Sequence, residues 1–537
     1  MDIIMAMSAK RGISVVQYTA LVTANWAGLA MAAPTERPSI HPYLEVGQVL
    51  TQDFRADDVL TYSTLSVGAD ASVRRARTEV QLNYRYDRHI GWGKDLADHD
   101  AHYGMGRART DLIRDHLSLE GGLLGTRTRQ SFRGDALGDG VLNDANSSQL
   151  FSAYIAPEAR SQIGLVDMSA RYRLSYARAT NNWSEVPNLE NDFLAPFRSS
   201  VAQSVEVHAG MRAGTMPFGW SLSGGMGQDR QGLLAGRFTQ RQIRLDLLLP
   251  INNSLALIGG VGQQWVRSSQ KEALRDALGG AIRDQKGRIQ EDPSKPRRLV
   301  YDFDGLYWDV GLQWRPSSRT ALDARMGRRF GARSYTASFN WQARPDAALT
   351  ISIYDEAETL GQELARGLDG LPASYWTGGY GSLLGGLGCG FGDNGGGSCL
   401  NDNLSGLNGM AYRNRGGELV WSQRRGRLGL GLGLGYHRRD FLGLAAVVPD
   451  QQSAFANIGL TYQASYQTEV RSDLVVSLYD EIGPFGTPRV AETMTVSLSH
   501  GFSRRLSGQA SLGVTASQGE GRDLLLGTAR AGLRYQF

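Results

Sequence analysis

The chain has 537 residues, among them 67 Gly, 16 Pro and 2 Cys, with 20% charged residues and a formal net charge of +4. A mean hydropathy of −0.30 excludes a polytopic helical membrane protein, which needs many apolar runs of ~20 residues. So mild a charge makes no case for nucleic acid. Apart from Lys10, Lys94, Lys271, Lys286 and Lys295, every basic residue is Arg. Arginine's planar fork suits carboxylate, sulfate and phosphate, although a GC-rich coding sequence produces the same skew.

At the N-terminus, Lys10 and Arg11 precede an uncharged stretch from Gly12 to Thr35. Ala30-Met31-Ala32 fits the small-residue cleavage pattern of a secretory signal. Residues 1–32 are therefore read as a signal peptide and 33–42 as a short periplasmic segment. Residues 43–537 are read as one barrel. Ala33 to His41 leave no room for the N-terminal plug domain of a TonB-dependent transporter, so any lumen filling is expected from loops.

The rest of the chain alternates with a period of two, which puts successive side chains on opposite faces of a strand. Val80, Leu82, Tyr84 and Tyr86 oppose Glu79, Gln81, Asn83 and Arg85. Ile243, Leu245, Leu247 and Leu249 oppose Gln242, Arg244 and Asp246. Leu306, Trp308, Val310, Leu312 and Trp314 oppose Asp309 and Gln313, and Leu428, Leu430, Leu432 and Leu434 alternate with glycines. About 22 such runs follow one another, within a range of roughly 18–24, and the number is even if both termini share one side. Most are about 10–16 residues long, the length of tilted membrane strands rather than of soluble ones.

The connections sort by length. Short ones lie near Arg74, Asp115, Pro157 to Arg160, Ala213 to Thr215, Pro250 to Asn253, Pro316 to Arg319, Arg344 to Asp346 and Ser503 to Arg505. Long ones span 89–101, 127–146, 179–198, 267–298, 356–408 and 439–451. Tight periplasmic turns and long outer loops are the pattern of an outer-membrane barrel. The fold class predicted is all-β, a transmembrane antiparallel β-barrel in the outer membrane. Its apolar parity must face lipid, where Arg or Lys at the midplane costs ~2–4 kcal/mol, so polar parities line the lumen. Arg75, Arg77, Arg85, Arg171, Arg173, Arg244, Arg325 and Arg329 share that polar parity. Such a basic ladder either stiffens the wall against Glu and Asp or prefers anionic solutes. Tyr535 and Phe537 end the last strand on the apolar parity, a terminal aromatic signal for the barrel-assembly machinery.

Cys389 and Cys399 lie in the longest loop, and an exported chain favours their oxidation to a disulfide. That loop either folds into the pore as a constriction or caps the outer mouth, and Ala357 to Gly367 suit a short helix. Asp98-His99-Asp100-Ala101-His102 reads as a solvated polar segment rather than a metal site. Asp393, Asn394 and Asp402 lack the EF-hand pattern of a calcium loop. Ser268 to Leu278 suit a helix capped by Ser269, with Glu272 three positions on. His116 and His208 fall on the lumenal side without a nucleophile-elbow motif, so a barrel-embedded hydrolase is the weakest reading. The chain is read as no enzyme and as needing no cofactor or metal.

Several segments resemble a family of bacterial outer-membrane barrels associated with PEP-CTERM/exosortase and exopolysaccharide gene systems. They are Tyr43 to Thr51, Asp58 to Tyr62, Gly68 to Ala71 and Asn83 to Arg88. Trp314 to Thr320, Gly327 to Gly331, Leu371 to Ser374 and the cysteine loop are also similar. The resemblance implies an envelope role linked to polysaccharide and brings no catalytic residues. Some members carry a preprotein translocase subunit label, which fits a short single-helix inner-membrane protein and not this chain. The expected function is a porin-like channel or an exopolysaccharide-associated barrel. A structural or assembly barrel with a loop-closed lumen is the rival. The expected partners are outer-membrane lipid, lipopolysaccharide, the assembly machinery and an anionic polysaccharide.

Overall fold

The computed structural model describes residues 38–537 apart from 56–57, 93–97, 130–146, 181–196, 215, 233, 278–279, 285–288, 373, 378–387, 401–405, 444–449, 483–487 and 520–522. The signal-peptide reading of 1–32 lies outside them. The described chain forms one antiparallel sheet of 22 strands. Each strand pairs with the next, and the last, Leu524–Gln536, returns to the first, Ser39–Asp53, in the register Tyr43↔Gln536 to Asp53↔Leu526. The sheet therefore has no edge. In a bilayer that closure is what satisfies every backbone N–H and C=O.

The exposed face is the apolar one. Ile243, Leu245, Leu247 and Leu249 are all exposed while Arg244 and Asp246 on the opposite parity are buried. Trp265, Trp308, Trp314 and Trp341 also project outward, as aromatic girdles do at membrane interfaces. Turns such as 164–165, 318–319, 345–346 and 426–427 alternate with the long connections 271–297 and 359–411. The chain is an outer-membrane β-barrel, with the short turns on the periplasmic side.

Four local readings need correction. The first strand starts at Ser39 rather than 43, because Ser39 to Pro42 already pair with Ser72 to Ala69. Pro157 to Arg160 are not a turn. The strand Ser147–Ile163 runs through them and reverses at Gly164, which takes φ +60. Pro157 has no N–H, so pairing with the following strand lapses at Ala156 and Pro157 and resumes at Glu158↔Arg171. Ser268 to Leu278 form no helix over their described residues: Ser268 to Gln270 end a strand, and Ala273 and Arg275 make β-bridges to Glu291 and Ala281. His116 lies exposed in the turn 114–116, not in the lumen.

The outer rim is uneven. The hairpin of Thr320–Arg329 and Ala332–Arg344 stops short of its neighbours, which pair with it only from Trp308 on one side and Ile353 on the other. Phe330 and Gly331 close it with φ +52 and +74. Arg329 and Arg413 stack on the Phe330 ring at 5.1 and 5.2 Å.

The two faces make a testable contrast. Leu245→Arg, on the lipid face, is expected to lower the folding stability in lipid vesicles by ~2–4 kcal/mol. Thr493→Arg, on the lumenal parity, should cost much less. Denaturant titration of the two refolded variants checks this.

Candidate functional site in the barrel lumen

The longest connection, 359–411, leaves the wall at Glu358 on the outer rim and re-enters it at Tyr412. Its described residues do not cap the mouth; they fold inward and span the lumen. Its first element is the helix α1, Leu360–Asp369. Thr359 caps it, and Gln362 reaches back to complete a capping box. The reading of a helix near 357–367 was thus close, two or three residues early.

Leu360, Leu364 and Leu368 recur every fourth residue and form one apolar stripe. The stripe packs on the inner face of four consecutive strands, from Leu117–Arg129 to Ser199–Met211. There it meets Leu124, Leu150, Tyr154, Ala156, Ala177 and Ala179, joined by Met105 and Phe197. This is a hydrophobic core inside the barrel. It corrects the expectation that the lumenal parity is polar throughout.

Beyond α1 the segment crosses to Tyr375, whose N–H donates to Gln81 Oε1 at 2.8 Å and whose hydroxyl donates to Met105 O at 3.1 Å. It then forms a small sheet of Tyr375–Trp376, Cys389–Gly392 and Gly397–Cys399. The disulfide joins Cys389 to Cys399. It lies inside the barrel against Gly433, not at the outer mouth.

The floor for this sheet is the glycine stripe of the strand Leu428–Phe441. Its leucines face outward, and Gly429, Gly431 and Gly433 face in. A Cβ at Gly431 would overlap the Phe391 ring, and one at Gly433 would overlap both cysteine sulfurs. Ser422 Oγ donates to Gly392 O and Gly396 O at 3.1 and 2.9 Å. Cys399 N–H donates to Glu418 Oε1 at 2.8 Å. The tip reaches the periplasmic turns, where Arg424 Nη1 pairs with Asp393 Oδ1 at 2.7 Å and Gly396 N–H donates to Ala348 O at 3.2 Å. The segment therefore runs the depth of the wall, roughly 36 Å along the strand Ala347–Glu358 at ~3.3 Å per residue.

Charge pairs lock the plug to the wall. Arg439 and Glu363 meet at 2.8 Å, and neither side chain is more than 1% exposed. Tyr412 hydroxyl donates to the same carboxylate, and Asn414 Nδ2 to its other oxygen at 3.2 Å. Asp369 lies between Arg171, at 2.6 Å, and Arg173. Burial alone would raise the Asp369 carboxyl, but Arg173, Arg171 and Arg107 outweigh it and hold it at about 2, below its ordinary 3.8. Beside α1 a cavity of about 80 Å³ remains, lined by Arg173, Glu206, Glu356 and Arg366. Glu356 Oε1 is buried there without a hydrogen-bond partner.

The basic ladder splits into distinct roles. Arg75 and Arg77 are not in the lumen at all: they sit exposed in the turn 75–77, because the strand begins only at Thr78. Arg85 pairs with Asp87 at 2.8 Å. Arg244 and Arg325 share Asp246 and Asp309 at 2.6–3.5 Å, and Arg325 also takes Asp323 at 3.0 Å. Arg329 donates to Gln264 and Gln242 and to Asp355 O. Those four fasten wall to wall. Arg171 and Arg173 fasten wall to plug.

The remaining candidates are spent locally. Asp98 and Asp100 take Arg88, at 3.0 and 3.1 Å. His99 and His102 lie 2.6 and 2.7 Å from His89 and Tyr84. Asp393 takes Arg424, and Asp402 lies outside the described residues. Among the described residues no group of His, Cys, Asp and Glu could hold a metal ion. Tyr535 and Phe537 stand exposed on the outer face, their rings 5.3 Å apart.

The sequence reasoning missed the docking surfaces of the plug. The signals were present. Apart from Ser152, Leu150 to Ala156 is apolar on both parities, as a strand covered on both faces requires. The lumenal glycines of 429–433 leave room for a packed partner.

The fold and the lumen together define a closed transmembrane β-barrel plugged by its own connecting segment. No family model and no curated protein matches the chain. Among solved structures it is similar to the ferric-catecholate import receptor Fiu from E. coli K12, at 12% identity and a TM-score of 0.44 over 94% of this chain and 82% of that one. It is also similar to the copper transporter OprC, at 11% and 0.40 over 94% and 82%. The FrpB iron transporter from Neisseria meningitidis follows at 11% and 0.41 over 92% and 81%.

Two predictions come from this geometry. Gly433→Val should dislodge the plug and speed cleavage of 359–411 by added protease at least tenfold, while Leu432→Val on the lipid face should not. Because the folded Asp369 carboxyl is the more acidic, its contribution to docking is complete above about pH 4 and fades as the pH falls to 2. Protease access in wild type should therefore be flat from pH 8 to 5 and rise below 4, read with an acid-active protease at the low end. Asp369→Asn should be accessible across the range.

Proposed function

We propose that this protein is a gated outer-membrane barrel that passes a hydrophilic polymer when 359–411 leaves the lumen. In keeping with the family its motifs resemble, the polymer is an exopolysaccharide. The observation that carries this reading is the plug itself. It is tethered at two adjacent strands of the outer rim, Glu358↔Tyr412, so it can swing outward without any change in the barrel ladder. Its deepest contacts are a few polar ones, Asp393 to Arg424, Gly396 to Ala348, Gln342 to Asn394 O and Ser422 to Gly392 O and Gly396 O. A barrel of this size with its plug removed leaves an aqueous channel.

A permanently closed structural barrel is the second reading. It is favoured by the apolar core that Leu360, Leu364 and Leu368 build against Leu124, Leu150 and Tyr154. Burying three leucines contributes about 5–9 kcal/mol to docking, which the gated reading must overcome.

Planar-bilayer conductance separates the two. Wild type should be closed, with brief openings that lengthen with voltage. Replacing 361–409 by a short Gly/Ser linker should give a large steady conductance. Wild-type conductance equal to that of the deletion would rule out a plug. Wild type that never opens, beside a conducting deletion, would favour the structural barrel.

A further inference from the structure

We infer that Arg107, Arg171 and Arg173 form a binding site for a carboxylated polysaccharide, and that Asp369 of the plug occupies this site in the resting barrel. The inference rests on the gated reading above and names the substrate class of the same lumen.

The charges are unevenly divided. Segment 359–411 carries Glu363, Asp369, Asp393 and Asp402 against the single base Arg366. The wall it touches answers with arginine: Arg171 and Arg173 for Asp369, Arg439 for Glu363, Arg424 for Asp393. The plug thus presents to the wall a chain of spaced carboxylates. Glu363 and Asp369 are six residues apart on α1, ~9 Å along its axis, and engage arginines on different walls. Stations at that spacing suit a polymer better than a single small anion.

The Asp369 site differs from the other arginine clusters in its balance. Arg244 and Arg325 face three wall aspartates and stay paired whatever the plug does. Around Asp369 the wall offers one shared carboxylate, Glu120, which takes Arg107 at 2.8 Å and Arg171 at 3.4 Å. Glu158 is held by Arg160 at 2.8 Å. With Asp369 withdrawn, three guanidinium groups keep one ion-paired carboxylate, Glu120, while Glu158 and Glu206 stand opposite Arg171 on the neighbouring strands. Even with Asp369 in place, the Nε donors of Arg171 and Arg173 are buried without a hydrogen-bond partner. A buried donor left unmade is costly, so the site has binding capacity that one aspartate does not use. Tyr154, with Arg173 at 5.9 Å from its ring, adds a flat aromatic face of the kind on which sugar rings rest.

The test measures binding, so it does not depend on whether the barrel conducts. Fluorescently labelled oligogalacturonate is titrated into the detergent-folded protein and followed by anisotropy. Full-length Asp369→Asn and the 361–409 linker variant should each bind at least tenfold more tightly than wild type. Adding Arg171→Gln and Arg173→Gln to either should remove that gain, while Arg75→Gln with Arg77→Gln in the exposed turn should leave it. An unlabelled neutral maltodextrin of equal length should not compete. A sulfated oligosaccharide that competes as well as galacturonate would overturn the restriction to carboxylate. Equal binding by wild type and both unplugged variants, indifference to the Arg171/Arg173 pair, or competition by maltodextrin would overturn the inference. A silent but folded linker variant in bilayers would count against gating alone and leave this readout standing.

Discussion

At membrane depth no water reaches the backbone, so every N–H and C=O must find its partner in the neighbouring strand. Much else in this protein follows from that constraint. It sets the strand length, because each strand must cross the bilayer before it turns. It keeps proline in the wall to places where a lapse of pairing can be absorbed, as at Pro157. It forces the sheet to close, which happens here between Ser39–Asp53 and Leu524–Gln536. Closure at 22 strands then creates a second problem. Wall side chains cannot fill a lumen that wide, and an unfilled one is a hole in the permeability barrier. The segment 359–411 is the answer to a difficulty that the wall itself creates.

The plug docks by two chemistries on two sides of the lumen. On one side leucines of α1 bury against an apolar stretch of wall, which supplies most of the docking free energy because it is proportional to area removed from water. On the other, a disulfide-closed sheet lies on a track of glycines, where contact is a matter of shape. The ion pairs add little net stability, since desolvating Arg439 and Glu363 costs about what their attraction returns. Their effect is on register. An apolar stripe tolerates sliding by a turn. An Asp369 that slides by a turn leaves Arg173 without its partner and Arg171 with Glu120 alone. The pairs therefore determine where the plug sits, and the leucines how firmly.

The wall was legible in the sequence because its determinants are local. Alternation in Ile243 to Leu249 or in Leu306 to Trp314 needs no knowledge of any other strand, and the number of runs follows from repeating that reading. Turn boundaries were weaker. Arg75 and Arg77 share the lumenal parity, yet they lie past the end of the ladder, where parity no longer assigns a face. Pro157 looked like a turn because a missing N–H also marks turns. The plug was hardest to read. Its helix and its disulfide could be anticipated within the segment, but where they dock depends on partners such as Arg171, which lies 198 residues from Asp369. No period or spacing encodes such a meeting. Its traces were indirect: two-sided apolarity at Leu150 to Ala156, and glycines facing inward where a barrel wall would otherwise carry polar side chains.

The arginines show why a residue type alone does not define a function in a barrel. Arg244 and Arg173 have the same parity, similar depth and the same carboxylate appetite. What separates them is where their partners are anchored. Arg244 is balanced by Asp246 on its own strand and Asp309 two strands away, so its pairing is a property of the wall and survives any movement of the loops. Arg173 is balanced by a residue on a segment tethered only at the outer rim, so its pairing is conditional. A conditional pair is a site that can change hands. The lumen therefore has a fixed arc, where charge braces the sheet, and a conditional arc, where the same charge holds the carboxylate of the plug. A change in the plug can leave the first arc alone but must rewrite the second, since each carboxylate removed from α1 leaves a wall arginine to be removed or paired anew.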